Sequence, residues 1–290
     1  MHERRALLFA LAAIFLWGTL AAVVGDALAG LAPEALLFWC FLFAALALGA
    51  LHLLRGGPPL QLLAAKPATI ALGLWGIFGY HALFFEALAH APIVQANLLN
   101  YLWPLLMVLL AVPLAREKLR ALALAGAIVG FAGAVLVVTQ GRSVRVDAKD
   151  ALGYAFAALA ALSWSSFSVL LRRAKGDEDR MALFTTWSLA AAAALALARG
   201  GITVPPPRAL AAAAWVGVGP MAMAFVCWDR AMRLGRASTI GALSYLDPLL
   251  STLCVAFALN KPLTTPTLVG MALIIGGAAA PALRRKSAMV

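Results

Sequence analysis

Long apolar stretches alternate with short polar segments along the whole chain. Each stretch is roughly 17–25 residues long, and a helix of about 20 apolar residues crosses the ~30 Å hydrocarbon core of a bilayer. The pattern therefore predicts an all-α membrane protein with ten transmembrane helices. The ten spans are placed at residues 6–28, 34–54, 67–89, 93–113, 119–139, 150–172, 181–199, 209–232, 237–259 and 264–283.

The chain repeats itself at a distance of 144 residues. YLWPLL at 101–106 recurs as YLDPLL at 245–250, and the same register pairs Gly126 with Gly270 and Gly133 with Gly277. A duplicated membrane unit is typical of transporters. Five spans per repeat is an odd number, so the second repeat enters the membrane from the opposite side and the repeats are inverted. We predict a first repeat at 1–139, a connecting loop at 140–149 and a second, inverted repeat at 150–290.

The charged residues agree with this topology. They make up only 12% of the chain, about half the usual share of a soluble domain. With the N-terminus inside, 17 of the 23 Lys and Arg residues lie in inner segments and 6 in outer loops. This is the positive-inside bias, so both termini are predicted to be cytoplasmic. The net charge of +11 is thereby explained without a nucleic-acid partner.

Two prolines in register interrupt the predicted fourth and ninth spans. Pro104 and Pro248 have no N–H, so the carbonyls four residues earlier are expected to be free. Interrupted helices at matching places in two repeats indicate a transporter binding site, and we predict kinks at both prolines. The polar residues around them either bond between helices or contact substrate. These residues are Asn97, Asn100, Tyr101, Ser244 and Tyr245.

Four further side chains lie deeper than an interfacial aromatic belt. Tyr80 and His81 belong to the third span, and Trp17 and Trp164 to the first span of each repeat. A cavity wall is therefore predicted. An aromatic pocket with few polar groups suits a small amphipathic substrate. His81 could relay protons or serve only as a hydrogen-bonded structural residue.

Asp247 is the only carboxylate near the middle of a predicted span. An ionisable residue at that depth is a functional candidate by default. It could hold a substrate amine or a coupling proton, or it could pair with a basic neighbour or stay protonated. The sequence contains no Gly-x-x-x-x-Gly-Lys-Ser/Thr loop and no His-Glu-x-x-His motif, so neither ATP, another cofactor nor a metal is expected.

Small residues give the fifth and tenth predicted spans a surface for close helix packing. Gly126 and Gly130 form Gly-x-x-x-Gly, and Gly270, Gly276 and Gly277 lie in the tenth span. We expect this packing within the chain. The choice between monomer and homodimer stays open.

Taken together, these features resemble the drug/metabolite transporter superfamily in its EamA-type form. The residues that carry the likeness are a Trp in the first span of each repeat and Tyr-Leu-x-Pro-Leu-Leu in the fourth. NLLNYLWP at 97–104, together with Tyr80, His81 and Trp164, is similar to the YddG-like aromatic amino acid exporters of bacterial inner membranes. Many relatives have an acid before the proline of the fourth span. Here that place is Trp103, and the acid is Asp247 in the second repeat.

The resemblance implies a secondary transporter that exports aromatic and other amino acids by alternating access, with Trp103 added to the residues that line a central cavity. Another carrier of the superfamily, for a drug, a quaternary cation or a nucleotide sugar, is the alternative. An intramembrane lipid-modifying enzyme is the remote one, since the sequence shows no paired mid-span acids. The implied partners are the small-molecule substrate and the lipid bilayer.

Overall fold

The computed structural model describes residues 2–20, 32–173, 180–258 and 262–283, and within these ranges all regular structure is helical. The predicted all-α class is thereby confirmed. Some sequence-based expectations lie outside the described residues. They concern the second part of the first span (21–28), residue 259 of the ninth, and the basic positions 175, 261 and 284–286.

The helices follow the apolar stretches closely. Before residue 140 they are α1 (His2–Gly18), α2 (Pro33–Leu54), α3 (Pro67–Gly73), α4 (Tyr80–His90), α5 (Ile93–Asn100), α6 (Trp103–Ala115) and α7 (Ala121–Thr139). After it they are α8 (Ala151–Arg173), α9 (Arg180–Ala198), α10 (Pro207–Val218), α11 (Ala224–Leu234), α12 (Ala237–Leu243), α13 (Leu246–Ala258) and α14 (Thr265–Leu283). The π-helical segments Leu74–Gly79 and Gly219–Met223 join α3 to α4 and α10 to α11. Short 3₁₀ helices lie at Pro59–Leu62 and Ala148–Asp150.

Eight helical segments in the described part are long and apolar enough to cross a membrane. A further apolar helix, Thr265–Ala280, is shorter, and α1 is described over 17 residues. Large apolar side chains such as Ile128 and Leu197 are exposed on these helices, as expected for surfaces that face lipid. The count of ten spans stays a prediction. The eight segments are Pro33–Leu54, Pro67–His90, Ile93–Ala115, Ala121–Thr139, Ala148–Arg172, Arg180–Ala198, Pro207–Leu234 and Ala237–Ala258.

Helix interruptions recur at matching positions. Two turn residues, 101–102, interrupt the helix between α5 and α6, and two more, 244–245, interrupt it between α12 and α13. We call these interruptions the helix breaks. Pro104 and Pro248 lie in the first turns of α6 and α13, where a missing N–H costs little. The carbonyl of Ser244 departs from the expectation of a free group, because it accepts the N–H of Asp247 at 3.0 Å.

Glycines on α7 and α14 bring these two helices into backbone contact. A Cβ on Gly133 would lie 2.6 Å from the carbonyl oxygen of Gly270, and one on Gly270 would lie 2.7 Å from that of Gly133. Gly126 and Gly277 face each other's carbonyls in the same way. The two helices therefore run antiparallel, and the close packing expected of these glycines occurs within the chain.

Gly217 and Gly73 also make close contacts that are equivalent in the two halves of the chain. A Cβ on Gly217 would lie 2.5 Å from the carbonyl oxygen of Cys40, whereas Gly73 faces the ring of Phe184. Shifting either pair by the 144-residue register of the repeat gives the other pair. The contacts between α10 and α2 thus reappear between the α3 region and α9.

Substituting Gly277 by alanine is expected to lower the melting temperature of the protein in detergent. The new methyl group would meet the carbonyl oxygen of Gly126 at 2.5 Å and the backbone nitrogen of Gly130 at 2.8 Å. Backbone atoms cannot move aside cheaply, and such overpacking costs about 1–3 kcal/mol.

The neighbouring Gly276 provides the control for this change, since a Cβ there has open space. Alanine has the higher helix propensity, so Gly276→Ala is expected to leave the melting temperature unchanged or slightly raised. Equal melting temperatures for the two variants would contradict the close packing of α7 on α14.

Candidate functional site

Four tryptophans from separate helices form one cluster, which we call the Trp cluster. Trp17 lies on α1, Trp103 on α6, Trp164 on α8 and Trp228 on α11. Every pair of these rings is in contact, with centroids from 5.1 Å (Trp17 and Trp228) to 6.5 Å (Trp17 and Trp103) apart. Two rings precede the connection at residues 140–149 and two follow it. The cluster therefore joins both halves of the chain at one place.

Hydrogen bonds hold two of these rings in place. The indole N–H of Trp17 donates to the carbonyl of Pro220 at 3.0 Å, within the second π-helical segment. That of Trp228 donates to the hydroxyl of Ser168 at 3.0 Å. Among the described residues no group accepts a hydrogen bond from Trp103 or Trp164, although both are 4% exposed. These two indoles can therefore donate to a bound molecule.

Tyr80 and His81 extend the cluster. The Tyr80 ring lies 5.3 Å from that of Trp164. The ring of His81 packs edge-on against Phe41 and Phe225, at 5.6 and 6.0 Å. Its Nδ1 lies 2.7 Å from the carbonyl of Ile77, and in the neutral ring with Nδ1 protonated this N–H donates to that carbonyl. This bond holds the ring against the first π-helical segment.

The two helix breaks meet beside the Trp cluster. The hydroxyl of Tyr245 donates to the carbonyl of Tyr101 at 3.2 Å, which links one break to the other. The side-chain amide of Asn100 donates to the hydroxyl oxygen of Tyr80 at 3.2 Å. The carboxylate of Asp247 lies within electrostatic range of the Tyr80 and Tyr101 hydroxyls. Polar groups from both breaks therefore lie next to the aromatic surface.

Three of the residues proposed from sequence have no hydrogen bond or ring contact with the Trp cluster among the described residues. The Ser244 hydroxyl donates to the carbonyl of Ile240 in its own helix at 2.8 Å. The Tyr245 ring is fully buried and packs on Phe131, with centroids 6.4 Å apart. For Asn97 there is no hydrogen bond or ring contact among the described residues. The structure thus brings Trp17, Tyr80, His81, Asn100, Trp103 and Trp164 together, with Tyr101 and Asp247 close by.

Trp228 and Phe225 were not found by the sequence analysis, although the repeat register points to both. It pairs His81 with Phe225 and Phe84 with Trp228. Phe84 stacks on Tyr80 at 6.2 Å, and Phe225 lies 5.7 Å from Trp164. Aromatic or imidazole rings at equivalent positions of the two halves would have identified this part of the site.

A buried carboxylate bridges the halves at one end of the bundle. Glu117, just after α6, accepts hydrogen bonds from the N–H of Ala237 at 2.8 Å and the hydroxyl of Ser238 at 2.7 Å. Arg172 pairs with the same carboxylate, and Arg236 approaches it to 3.5 Å. The carboxylate lies at the start of α12, where a helix favours negative charge. We call this group the Glu117 cluster.

A second buried ion pair lies nearby. The guanidinium of Arg180 donates through Nε to Asp229 at 2.8 Å and through Nη2 to the carbonyl of Leu171 at 2.9 Å. Arg233 donates to the other oxygen of Asp229 at 2.8 Å. The Arg180 and Asp229 side chains are 6% and 3% exposed. The charges are therefore satisfied by one another and by hydrogen bonds.

Within the described residues no group of three or more His, Cys, Asp or Glu side chains could hold a metal ion. An open groove of about 480 Å³ lies away from the Trp cluster, at the end of α7. It is lined by Val94, Gln95, Val138, Thr139, Gln140, Arg142, Ser143, Val144 and Arg145.

Known proteins match nearly the whole chain. The sequence profile of the EamA-like transporter family matches residues 4–139 and again 151–280. The aromatic amino acid exporter YddG of Ancylobacter novellus is 34% identical over 285 residues, which are 98% of this chain and 99% of that protein. The inner membrane transporter YhbE of Escherichia coli (strain K12) is 27% identical over 84% of this chain and 78% of its own length. A protein of known crystal structure, 34% identical, matches with a TM-score of 0.88 over 96% of this chain and 98% of its own.

Proposed function

Because the chain belongs to the EamA-like transporter family, we propose that it exports small amphipathic metabolites, above all aromatic amino acids, across the bacterial inner membrane. The family assignment confirms the sequence-based prediction of a transporter and not an enzyme. The likeness to a YddG exporter supports aromatic amino acids as substrates. No nucleotide-binding loop was found in the sequence, so the transport is secondary.

The Trp cluster is the observation that carries this proposal. Aromatic side chains recognise a planar ring by edge-to-face and offset contacts, and two indole N–H groups here have no partner among the described residues. Polar groups from both helix breaks lie beside the rings. An aromatic amino acid likewise has an aromatic ring at one end and charged groups at the other. The proposed contact residues are Trp17, Tyr80, His81, Asn97, Asn100, Tyr101, Trp103, Trp164, Ser244, Tyr245 and Asp247.

The proposed architecture is ten spans in two inverted repeats, residues 1–139 and 150–290, joined by the loop 140–149. Three observations support it. The family profile matches twice, once in each half. The π-helical segments and the helix breaks recur 144 residues apart or nearly so. The close glycine contacts of one half have their equivalents 144 residues away in the other half. The charge distribution supports cytoplasmic termini.

Alternating access follows from where the two halves meet. Rings of both halves form the Trp cluster, so rocking one half against the other would separate the rings and open a cavity between them. The Glu117 cluster ties the halves at the end of the bundle that the charge distribution places in the cytoplasm. Pro104 and Pro248, at the breaks, are the proposed hinges.

Uptake into proteoliposomes tests the proposal. Purified protein is expected to carry radiolabelled phenylalanine, with competition by unlabelled tryptophan and tyrosine but not by glutamate, above the rate in protein-free vesicles. Repeating the assay with an imposed pH gradient separates proton exchange from facilitated diffusion. Well-folded protein that carries no aromatic amino acid would contradict the proposal and favour another substrate of the superfamily.

A further inference from the structure

Two buried oxygen atoms at the helix breaks have no hydrogen-bond donor among the described residues. They are Oδ1 of Asn100 and Oδ1 of Asp247. Asn100 is only 5% exposed, and its amide nitrogen is already engaged with Tyr80. Burying an unpaired polar atom costs free energy, and buried acceptors in native proteins are nearly always bonded. Two such atoms in one region therefore indicate a missing donor.

No side chain among the described residues supplies that donor. Asp247 lies in the first turn of α13, yet its Oδ1 accepts no backbone N–H within the described residues. Its carboxylate is within electrostatic range of the hydroxyls of Tyr80 and Tyr101. Its own backbone N–H is taken by the carbonyl of Ser244. The carboxylate therefore lies beside the break with its Oδ1 able to accept a hydrogen bond.

The repeat register pairs this carboxylate with an aromatic residue in the sequence. Trp103 and Asp247 are equivalent residues, each directly before the proline that follows its helix break. Trp103 belongs to the Trp cluster, and the breaks are joined by the bond from Tyr245 to Tyr101. One half of the chain thus has an aromatic residue before the proline of its break, and the other half has an acidic residue at the equivalent position of its sequence.

We infer that Asp247 and Asn100 form a subsite for the ammonium group of the substrate. An ammonium ion has three donors and no acceptor, so it suits an amide oxygen and a carboxylate oxygen and compensates the negative charge of the carboxylate. The subsite selects a primary amine joined to an aromatic body. The inference rests on the proposed function, because it takes the Trp cluster as the place of the ring.

Substrate analogues test the subsite in wild-type protein. Inhibition of radiolabelled phenylalanine uptake is measured with 2-phenylethylamine, which lacks the carboxylate, and with 3-phenylpropanoate, which lacks the amine. The amine is expected to compete and the acid is not. Competition by the acid alone would overturn the inference while leaving aromatic transport intact.

The Asp247→Asn variant keeps the volume of the side chain and removes its charge. Its KM for phenylalanine is expected to rise about 10- to 100-fold, the factor that corresponds to loss of a hydrogen bond to a charged group, and its discrimination against 3-phenylpropanoate to fall. Asn100→Leu gives a second, independent variant if the first does not fold. Asp147→Asn, an exposed change in the connecting loop, is the matched control and keeps the wild-type KM.

The two failures are distinguishable. An unchanged KM and unchanged analogue selectivity in Asp247→Asn would overturn the ammonium subsite, with phenylalanine transport still supporting the proposed function. Loss of pH-gradient dependence without a change in KM would overturn it too, because Asp247 would then carry a proton. Wild-type protein that transports no aromatic amino acid would overturn the proposed function, and the subsite with it.

Discussion

Replacing Trp164 by alanine is expected to reduce phenylalanine uptake by about 5- to 160-fold. Trp164 is the centre of the aromatic site, because its ring contacts the three other members of the Trp cluster as well as Tyr80 and Phe225. Each aromatic pair contributes about 0.5–1.5 kcal/mol, so losing two contacts to a substrate ring costs about 1–3 kcal/mol, which corresponds to that range. The measurement is initial uptake into proteoliposomes, scaled to the amount of folded protein.

Two further variants separate a lost substrate contact from a lost fold. Truncating a buried Trp to Ala costs about 3–5 kcal/mol of stability, so Trp164→Phe, which keeps a ring, gives the milder change and is expected to lower uptake less. Trp215→Ala is the control, since that tryptophan is 46% exposed on the outer face of α10. Wild-type uptake in folded Trp164→Ala protein would be incompatible with an aromatic binding site.

Replacing Asp229 by alanine is expected to lower the melting temperature by roughly 10 °C. The change leaves the buried guanidinium of Arg180 without its carboxylate. Breaking a buried ion pair from one side costs about 3–5 kcal/mol, since an uncompensated charge remains. Thermal unfolding in detergent measures the effect.

A double variant and an exposed pair control this prediction. Removing both charges, in Asp229→Leu with Arg180→Met, is expected to recover most of the lost stability, because a buried pair can be replaced by apolar residues of similar size. Glu86→Ala breaks the exposed pair with Arg199 and is expected to change the melting temperature little, owing to solvent screening. An equal loss in Asp229→Ala and Glu86→Ala would mean that the Asp229 pair is not buried as described.

The all-helical fold could be predicted because helices that cross a membrane are recognisable from the length and the apolar composition of their sequences. Each apolar stretch must bond its backbone internally in lipid, so length and composition alone indicate a helix. The glycine faces of α7 and α14 were also readable, since the register repeats them. The π-helical segments were not foreseen. They lie at Leu74–Gly79 and Gly219–Met223, where side chains of other helices donate to their carbonyls, as Trp17 does to the carbonyl of Pro220.

The candidate site was predicted in part, for reasons that individual residues make clear. Trp17 and Trp164 were identified by their predicted depth in the bilayer, because the aromatic residues of a belt lie at the membrane–water interface and not near the middle of a span. Depth did not identify Trp228, because Asp229 and Arg230 follow it and resemble a helix end in the sequence. Arg180 is 49 residues from Asp229, and Ser238 is 121 residues from Glu117, so only the folded structure reveals these two pairs.

A structure determined with bound phenylalanine tests the central claim most directly. We expect the phenylalanine ring in contact with Trp103 and Trp164 and its ammonium group within hydrogen-bonding distance of Asp247. The four rings of the Trp cluster are expected to have moved apart to admit it. Phenylalanine bound instead in the groove lined by Gln95 and Arg145, with the four tryptophan rings still packed together, would contradict it.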